Sequence, residues 1–118
     1  MRVNEAIDRA DRLRPNAVNY FDKRLSLYRL EMEIAEMMEL EEMPEWEDAE
    51  GDYELLVPDP HSEVYPLHLL AYIDHVQEET DLYQIDMITA NQALAEVKAW
   101  WRRNNKEQKD IRFRRVFI

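Results

Sequence analysis

Apolar residues recur at helical spacing in four segments of the chain, and residues typical of helix ends separate these segments. Steps of three and four positions place apolar side chains on one face of a helix. The first segment follows Asn4, a predicted N-cap, and stops before Pro15. The second begins at Asn19, whose residue type also favours the N-cap position. The pattern predicts helices over residues 4–14, 19–39, 60–79 and 81–104.

The second predicted helix has two neighbouring apolar stripes, which is more apolar surface than one packing partner covers. We interpret the first stripe, Phe21, Leu25, Tyr28, Met32 and Ala35, as the core face. The other stripe is then available for contacts between subunits, as is a tryptophan that lies about 100° around the fourth helix from the core-facing Trp101. The predicted interface residues are Leu27, Leu30, Ile34 and Trp100.

Residues 39–58 break the helical period and contain Pro44, Pro58 and Gly51. We predict an extended acidic arm here, with a short β-hairpin as one form that it could take. An extended tail is expected at the end of the chain, over residues 105–118. The chain has 118 residues, the size of one domain. The predicted fold is therefore a single all-α domain over residues 1–118, a compact bundle of about four helices with the arm between the second and third.

The composition removes several kinds of chemistry. The chain has no cysteine and one glycine, so it lacks the material for thiol catalysis, a disulfide framework or a glycine-rich phosphate loop. His68 and His75 lie seven positions apart on one face of the third helix, but no histidine follows a glutamate at the spacing of a di-iron bundle site. We expect no enzyme activity, no catalytic residue, no cofactor, no metal and no membrane span.

Acidic residues are concentrated in the middle of the chain. Between Glu31 and Glu63 there are fourteen acidic residues and no lysine or arginine. Three interpretations stay open: a solvated face, a mimic of the phosphate rows of DNA, and the lining of a DNA conduit that repels the duplex. In the third interpretation, the arm residues expected to face DNA are Glu45, Glu47, Asp48 and Glu50.

The end of the chain is basic and aromatic. Residues 98–118 hold eight basic and two acidic side chains, a net charge of +6, whereas residues 1–97 carry −17. Large apolar side chains at a terminus either pack back on the protein's own helices or dock on a partner. We favour docking, and the alternation over residues 111–114 suits strand addition to a sheet edge. The predicted docking residues are Ile111, Phe113, Arg114, Arg115, Val116, Phe117 and Ile118.

Three stretches resemble the small head–tail connector proteins (head-completion or adaptor proteins) of tailed bacteriophages. The first is residues 3–17, VNEAIDRADRLRPNA, and the second, the most specific, is residues 54–65, ELLVPDPHSEVY. The third is the helix over residues 81–104, which ends in WWRRN. The stretches cover roughly half the chain in the order of the family, and residues 105–118 extend beyond the point where many members end.

The resemblance implies a compact helical subunit that forms a ring of about twelve copies beneath the portal protein. Such a ring extends the DNA channel and receives a tail-side completion or terminator protein, while DNA passes through without specific binding. The protein would be made in the cytoplasm of a host bacterium and reside at the head–tail junction of the virion. The family has no catalytic residues to transfer. The alternative is a monomeric or dimeric acidic DNA mimic that inhibits a nucleic-acid enzyme.

Overall fold

Four helices make up most of the chain in the computed structural model, which describes the backbone of residues 1–46 and 52–117 and the side chains of residues 1–46 and 52–104. Within these ranges there is no β-strand, and the one β-type pairing is an isolated bridge between Arg2 and Glu54. The prediction of an all-α fold of about four helices is confirmed. The helices are α1 (Val3–Leu13), α2 (Tyr20–Met37), α3 (Val64–Val76) and α4 (Thr80–Phe117), with a 3₁₀ turn over His61–Glu63.

Helix α3 lies at the centre of the bundle because few of its side chains are polar. Helices α1, α2 and α4 all pack on it. Leu69 and Ile73 of α3 have no exposed surface, and burial of one such side chain contributes about 1.5–3 kcal/mol. The other helices bring their own apolar stripes to this centre. The buried helical core includes Val3, Ala6, Ile7, Ala10, Leu27, Leu30, Ile34, Val64, Tyr65, Leu69, Leu70, Ile73 and Val97.

The arm caps helix α1 across a long sequence separation. The amide of Asn4 donates to Asp52 Oδ1 at 2.8 Å, and the amide of Val3 donates to the Tyr53 carbonyl at 3.0 Å. The prediction of Asn4 as N-cap is therefore wrong, because Arg2 holds that position and makes no side-chain cap bond. Asp52 supplies the missing acceptor, and its negative charge suits the positive end of a helix.

The predicted cap of α2 is confirmed, since Asn19 Oδ1 accepts a hydrogen bond from the Phe21 amide at 2.7 Å. The opposite ends of α2 and α3 share an unusual feature. Glu39 and Glu78 follow these helices with positive φ angles of 55° and 59°. After α3, the Glu79 amide donates to the carbonyl of Asp74 at 2.9 Å, which completes a Schellman motif. A side chain in this left-handed conformation costs roughly 1 kcal/mol, which glycine would avoid.

The arm is irregular in its described parts and lies against the bundle. The buried Trp46 ring meets Tyr28 edge to face at 5.1 Å and lies 5.2 Å from the Tyr53 ring. Farther along the arm, Leu55 and Val57 are buried in the core. Both described parts of the arm are therefore anchored to the bundle. Neither part contains a strand of the short β-hairpin that was predicted as one form of the arm.

The largest differences from the predicted helix boundaries are at the start of α3 and at the end of α4. Helix α3 begins at Val64 rather than at residue 60, and Pro66 therefore falls in its first turn, where a missing amide hydrogen does no harm. Helix α4 continues through Phe117, so the backbone of the predicted tail prolongs this helix up to residue 117. Residues 105–117 contain no proline or glycine and are rich in strong helix formers. The side chains of this tail lie outside the described residues.

Candidate assembly surfaces

Three of the four predicted interface residues belong to the core of the monomer. Leu27 and Ile34 have no exposed surface, and Leu30 is 4% exposed. Their assignment to a subunit contact is wrong, because the α2 stripe that contains them faces the shared core. Trp100 is partly buried, with its ring 5.4 Å from the His61 imidazole, so it fastens α4 to the 3₁₀ turn.

The α2 stripe that was predicted to be the core face is exposed where the helix begins. Phe21 is 74% exposed and Leu25 is 48% exposed. Farther along the stripe, Tyr28 and Met32 are partly buried and Ala35 is buried. The inner and outer faces of the first half of α2 are therefore reversed relative to the prediction.

Charged side chains on the inner face of α2 explain this reversal. Lys23 is 5% exposed, and its Nζ donates to both carboxylate oxygens of Asp11 at 2.8 and 3.0 Å. Glu31 is fully buried on the same side of the helix. Charged residues ordinarily mark the solvent face of a helix, so their positions pointed to the wrong side.

Glu31 joins α2 to α3 and to the end of the arm. Its Oε1 accepts a hydrogen bond from the Tyr65 hydroxyl at 2.6 Å, and its Oε2 accepts one from the Leu56 amide at 3.0 Å. The Tyr65 hydroxyl in turn accepts a hydrogen bond from the Val57 amide at 3.0 Å. Burial raises the pKa of Glu31, against the effect of its two hydrogen bonds, and burial together with Glu31 raises the pKa of Tyr65. The network holds residues 56–57 of the arm in place, which gives the stretch ELLVPDPHSEVY a structural role.

A second buried charged group joins α1, α3 and α4. The Asp74 side chain has no exposed surface and pairs with Arg14, whose Nη1 also donates to Asp86 Oδ2 at 2.9 Å. Burial raises the pKa of Asp74, and the neighbouring Asp86 raises it further, whereas Arg14 opposes the shift. One guanidinium thus bridges two carboxylates on different helices and fixes α3 and α4 against the end of α1.

The outward side of α4 has an uncharged surface that is not among the predicted interfaces. Ile85 is 61% exposed, Ile88 is 59% exposed and Leu82 is 37% exposed. The one charged residue within 82–95 is Asp86, whose side chain is 16% exposed. About four helical turns without an exposed charge are unusual in a chain with 35% charged residues. The absence of exposed charged residues from this stretch is the sequence signal from which the surface could have been predicted.

Most described acidic side chains between Glu31 and Glu63 lie at the surface. Of the four arm residues predicted to face DNA, Glu45 is exposed, and Glu47, Asp48 and Glu50 lie outside the described residues. The exposed members are Glu33, Glu36, Glu39, Glu41, Glu42, Glu45, Glu54, Asp59 and Glu63. All of these except Asp59 and Glu63 lie on the second half of α2 and the arm, which are therefore strongly negative at the surface.

The two spaced histidines have separate surroundings. His68 lies 2.9 Å from the Ser26 hydroxyl through Nε2, and burial lowers its pKa. The His75 ring lies 5.3 Å from the Tyr83 ring and is tilted by 43° to it. Across residues 1–46 and 52–104, no group of three or more histidine and carboxylate side chains is placed to hold a metal ion.

No family model, curated protein or solved structure matches the chain. None of the helices in the described part of the chain is long and apolar enough to cross a membrane. The docking residues predicted between Ile111 and Ile118 lie beyond the described side chains, and their role stays a prediction.

Proposed function

We propose that the chain is a structural subunit of the head–tail junction of a tailed bacteriophage. Copies would form a ring between the portal protein and the tail-side completion or terminator protein, and the ring would extend the DNA channel. The protein would be made in the host bacterium and incorporated into the virion. No catalytic role is part of this proposal.

The observation that carries the proposal is that the three stretches resembling connector proteins touch one another. Arg9 of the first stretch pairs with Glu63 of the second. Arg14 of the first stretch donates to Asp86 of the third at 2.9 Å, and the rings of His61 and Trp100 join the second and third at 5.4 Å. Segments that are separate in sequence thus build one contiguous body, as expected if they are the shared framework of a family.

The surface chemistry supports the same function. DNA must slide through the junction during packaging and ejection, and basic contacts to its phosphates would hold it through many salt-dependent attachments. Exposed carboxylates on α2 and the arm would repel it instead. A ring subunit also needs two different faces for its neighbours, and α2 and α4 each have an uncovered apolar face.

The test is deletion of the coding gene in the phage or prophage that carries it. We expect heads and tails that form but do not join, with DNA lost from the heads, and recovery when the wild-type chain is supplied in trans. Infectious particles of normal yield and morphology without the chain would refute the proposal.

The acidic arm has its own test. Replacing Glu45, Glu47, Asp48 and Glu50 with lysine should create phosphate contacts and slow DNA ejection, most strongly at low salt. The matched control replaces the same four residues with glutamine or asparagine, which removes repulsion without adding attraction. Equal ejection rates for the lysine variant, its control and the wild type would assign the arm to a merely solvated surface.

A second candidate function, an acidic DNA mimic, is favoured by the same exposed carboxylates. A mimic would remain a monomer or dimer and would inhibit a nucleic-acid enzyme in competition with DNA. Ring-sized assemblies at the junction support the adaptor, whereas salt-sensitive competitive inhibition by a small oligomer supports the mimic.

A further inference from the structure

The outer face of α2 presents two apolar side chains followed by a positive charge. Phe21, Leu25 and Arg29 are spaced four positions apart, so they lie on one side of the helix at intervals of about 6 Å. Phe21 and Leu25 are among the most exposed large apolar residues of the described chain. Arg29 is exposed and forms no ion pair within residues 1–46 and 52–104. A face of this composition is suited to burial against another surface of the opposite charge.

The outer face of α4 presents the complementary arrangement. Asp81, Ile85 and Ile88 are spaced four and three positions apart on the outward side of this helix, and all three are exposed. Glu78 and Glu79 immediately precede α4 and add to the negative charge at its beginning. No lysine or arginine occurs between Glu31 and Val97, so this end of α4 has no basic neighbour along the chain.

We propose that the outer face of α2 in one copy binds the outer face of α4 in the next copy. With the two helices antiparallel, the two rows run in the same order and their spacings agree to within one residue. Leu25 lies over Ile85, Phe21 over Ile88, and the positive end of the α2 face over the negative beginning of α4. The paired residues are Phe21 with Ile88, Leu25 with Ile85, and Arg29 with Asp81.

One copy cannot satisfy both of its own faces. Helices α2 and α4 pack on α3 through their inner sides, so both outer faces point away from the common core. Because the two faces differ, the contact is head-to-tail, and each copy has one face of each kind. Such a contact adds copies without limit unless its rotation closes a ring. The pairing stands on the two faces alone, whereas its closure into a ring rests on the proposed function.

Cysteine cross-linking tests the pairing directly, because the native chain has no cysteine. The full-length variant that combines Leu25→Cys with Ile85→Cys is oxidised at its highest soluble concentration and run on a non-reducing gel. We expect a ladder of dimers, trimers and higher multimers that a reductant abolishes. Each single variant should give no species above a dimer. The matched control combines Ile85→Cys with Glu5→Cys, an exposed α1 position outside both faces, and should give no ladder.

A second pair of variants tests the head-to-tail geometry. Leu25→Glu blocks the α2 face and leaves the α4 face intact, and Ile85→Glu does the reverse. Both positions are exposed, so each variant should keep the helical circular dichroism and melting temperature of the wild type. Each variant alone should not associate, and an equimolar mixture should form one heterodimer that does not grow, as measured by sedimentation.

Absence of the ladder would overturn the pairing, as would a mixture that does not dimerise. Association lost in Leu25→Glu but unchanged in Ile85→Glu would instead indicate a symmetric α2 contact and also overturn it. A phage that assembles normally with both substitutions would reject this contact and leave the proposed function standing. A clear ladder from a chain that is dispensable for head–tail joining would support this contact and reject the proposed function.

Discussion

Replacing Tyr65 with phenylalanine removes one hydroxyl and leaves two buried groups without a partner. The lost bonds are the 2.6 Å bond to Glu31 Oε1 and the 3.0 Å bond from the Val57 amide. A hydrogen bond to a charged group contributes about 1.5–3 kcal/mol and a neutral one about 1 kcal/mol. We therefore expect Tyr65→Phe to lower the free energy of unfolding by about 2–4 kcal/mol at neutral pH, a large share of the roughly 5–15 kcal/mol typical of a domain.

The loss should depend on pH in a defined direction. Burial already raises the pKa of Glu31, whereas the hydrogen bond from Tyr65 lowers it. Removing that hydrogen bond therefore raises the pKa of Glu31 further. A carboxyl whose folded-state pKa is raised holds its proton more tightly when folded, so its stabilising contribution is present at low pH and is lost as pH rises through the folded pKa. The cost of Tyr65→Phe is thus smallest at and below pH 4.5, the ordinary pKa of a glutamate, and grows as pH rises above it.

Urea unfolding followed by helical circular dichroism measures this cost. The matched control is Tyr72→Phe on the same helix, because Tyr72 is partly buried and its hydroxyl makes no hydrogen bond within the described residues. Its free energy of unfolding should change by less than about 0.5 kcal/mol. A loss below about 1 kcal/mol for Tyr65→Phe, or an equal loss for the control, would refute the reasoning that the network stabilises the fold.

Three further predictions follow from other parts of the molecule. Glu31→Gln removes the titrating group, so the stability advantage of the wild type over this variant should shrink as pH rises above about 4.5, and an advantage that grows would contradict the raised pKa. Glu78→Gly should raise the free energy of unfolding by roughly 0.5–1 kcal/mol, because φ is positive at this position. The control Gln77→Gly, at φ −85°, should lower it. Equal changes for the two variants in a urea titration would exclude this conformational cause. Deletion of residues 110–118 should leave a helical chain of nearly unchanged melting temperature that no longer joins heads, and a much lower melting temperature would place the tail in the core instead.

The helices could be predicted because their signals are local. The Asn19 cap, the polar breaks and the three-and-four spacing all lie within a few residues of what they specify. The cap of α1 could not be predicted in this way. Asn4 resembles an N-cap in sequence, but its amide donates to Asp52, which lies 48 positions away. The start of α3 was predicted four residues too early because a 3₁₀ turn directly precedes the helix. The residue types that favour the first turn of an α-helix also favour such a turn.

The surfaces were harder to predict because both sides of α2 are apolar. Lys23 and Glu31 lie on the inner side with partners at Asp11 and Tyr65, and nothing near them in sequence reveals those partners. Pattern alone therefore placed them toward solvent, and Leu27 with its neighbours was assigned to the wrong surface. Apolar periodicity counts hydrophobic positions, whereas the choice of face was decided here by buried charged pairs.

The cap that Asp52 provides also has a consequence for the local motion of the chain. The first amides of a helix are ordinarily the quickest to exchange with solvent, because the end of a helix frays by itself. Here the amides of Val3 and Asn4 are held by the arm, and the Leu55 amide is held in return by the Met1 carbonyl at 2.9 Å. None of the three can open unless the start of the chain and the arm separate together. After correction for the intrinsic exchange rate of each amide, their hydrogen–deuterium exchange should therefore report one common opening free energy, set by the release of the arm rather than by fraying of α1.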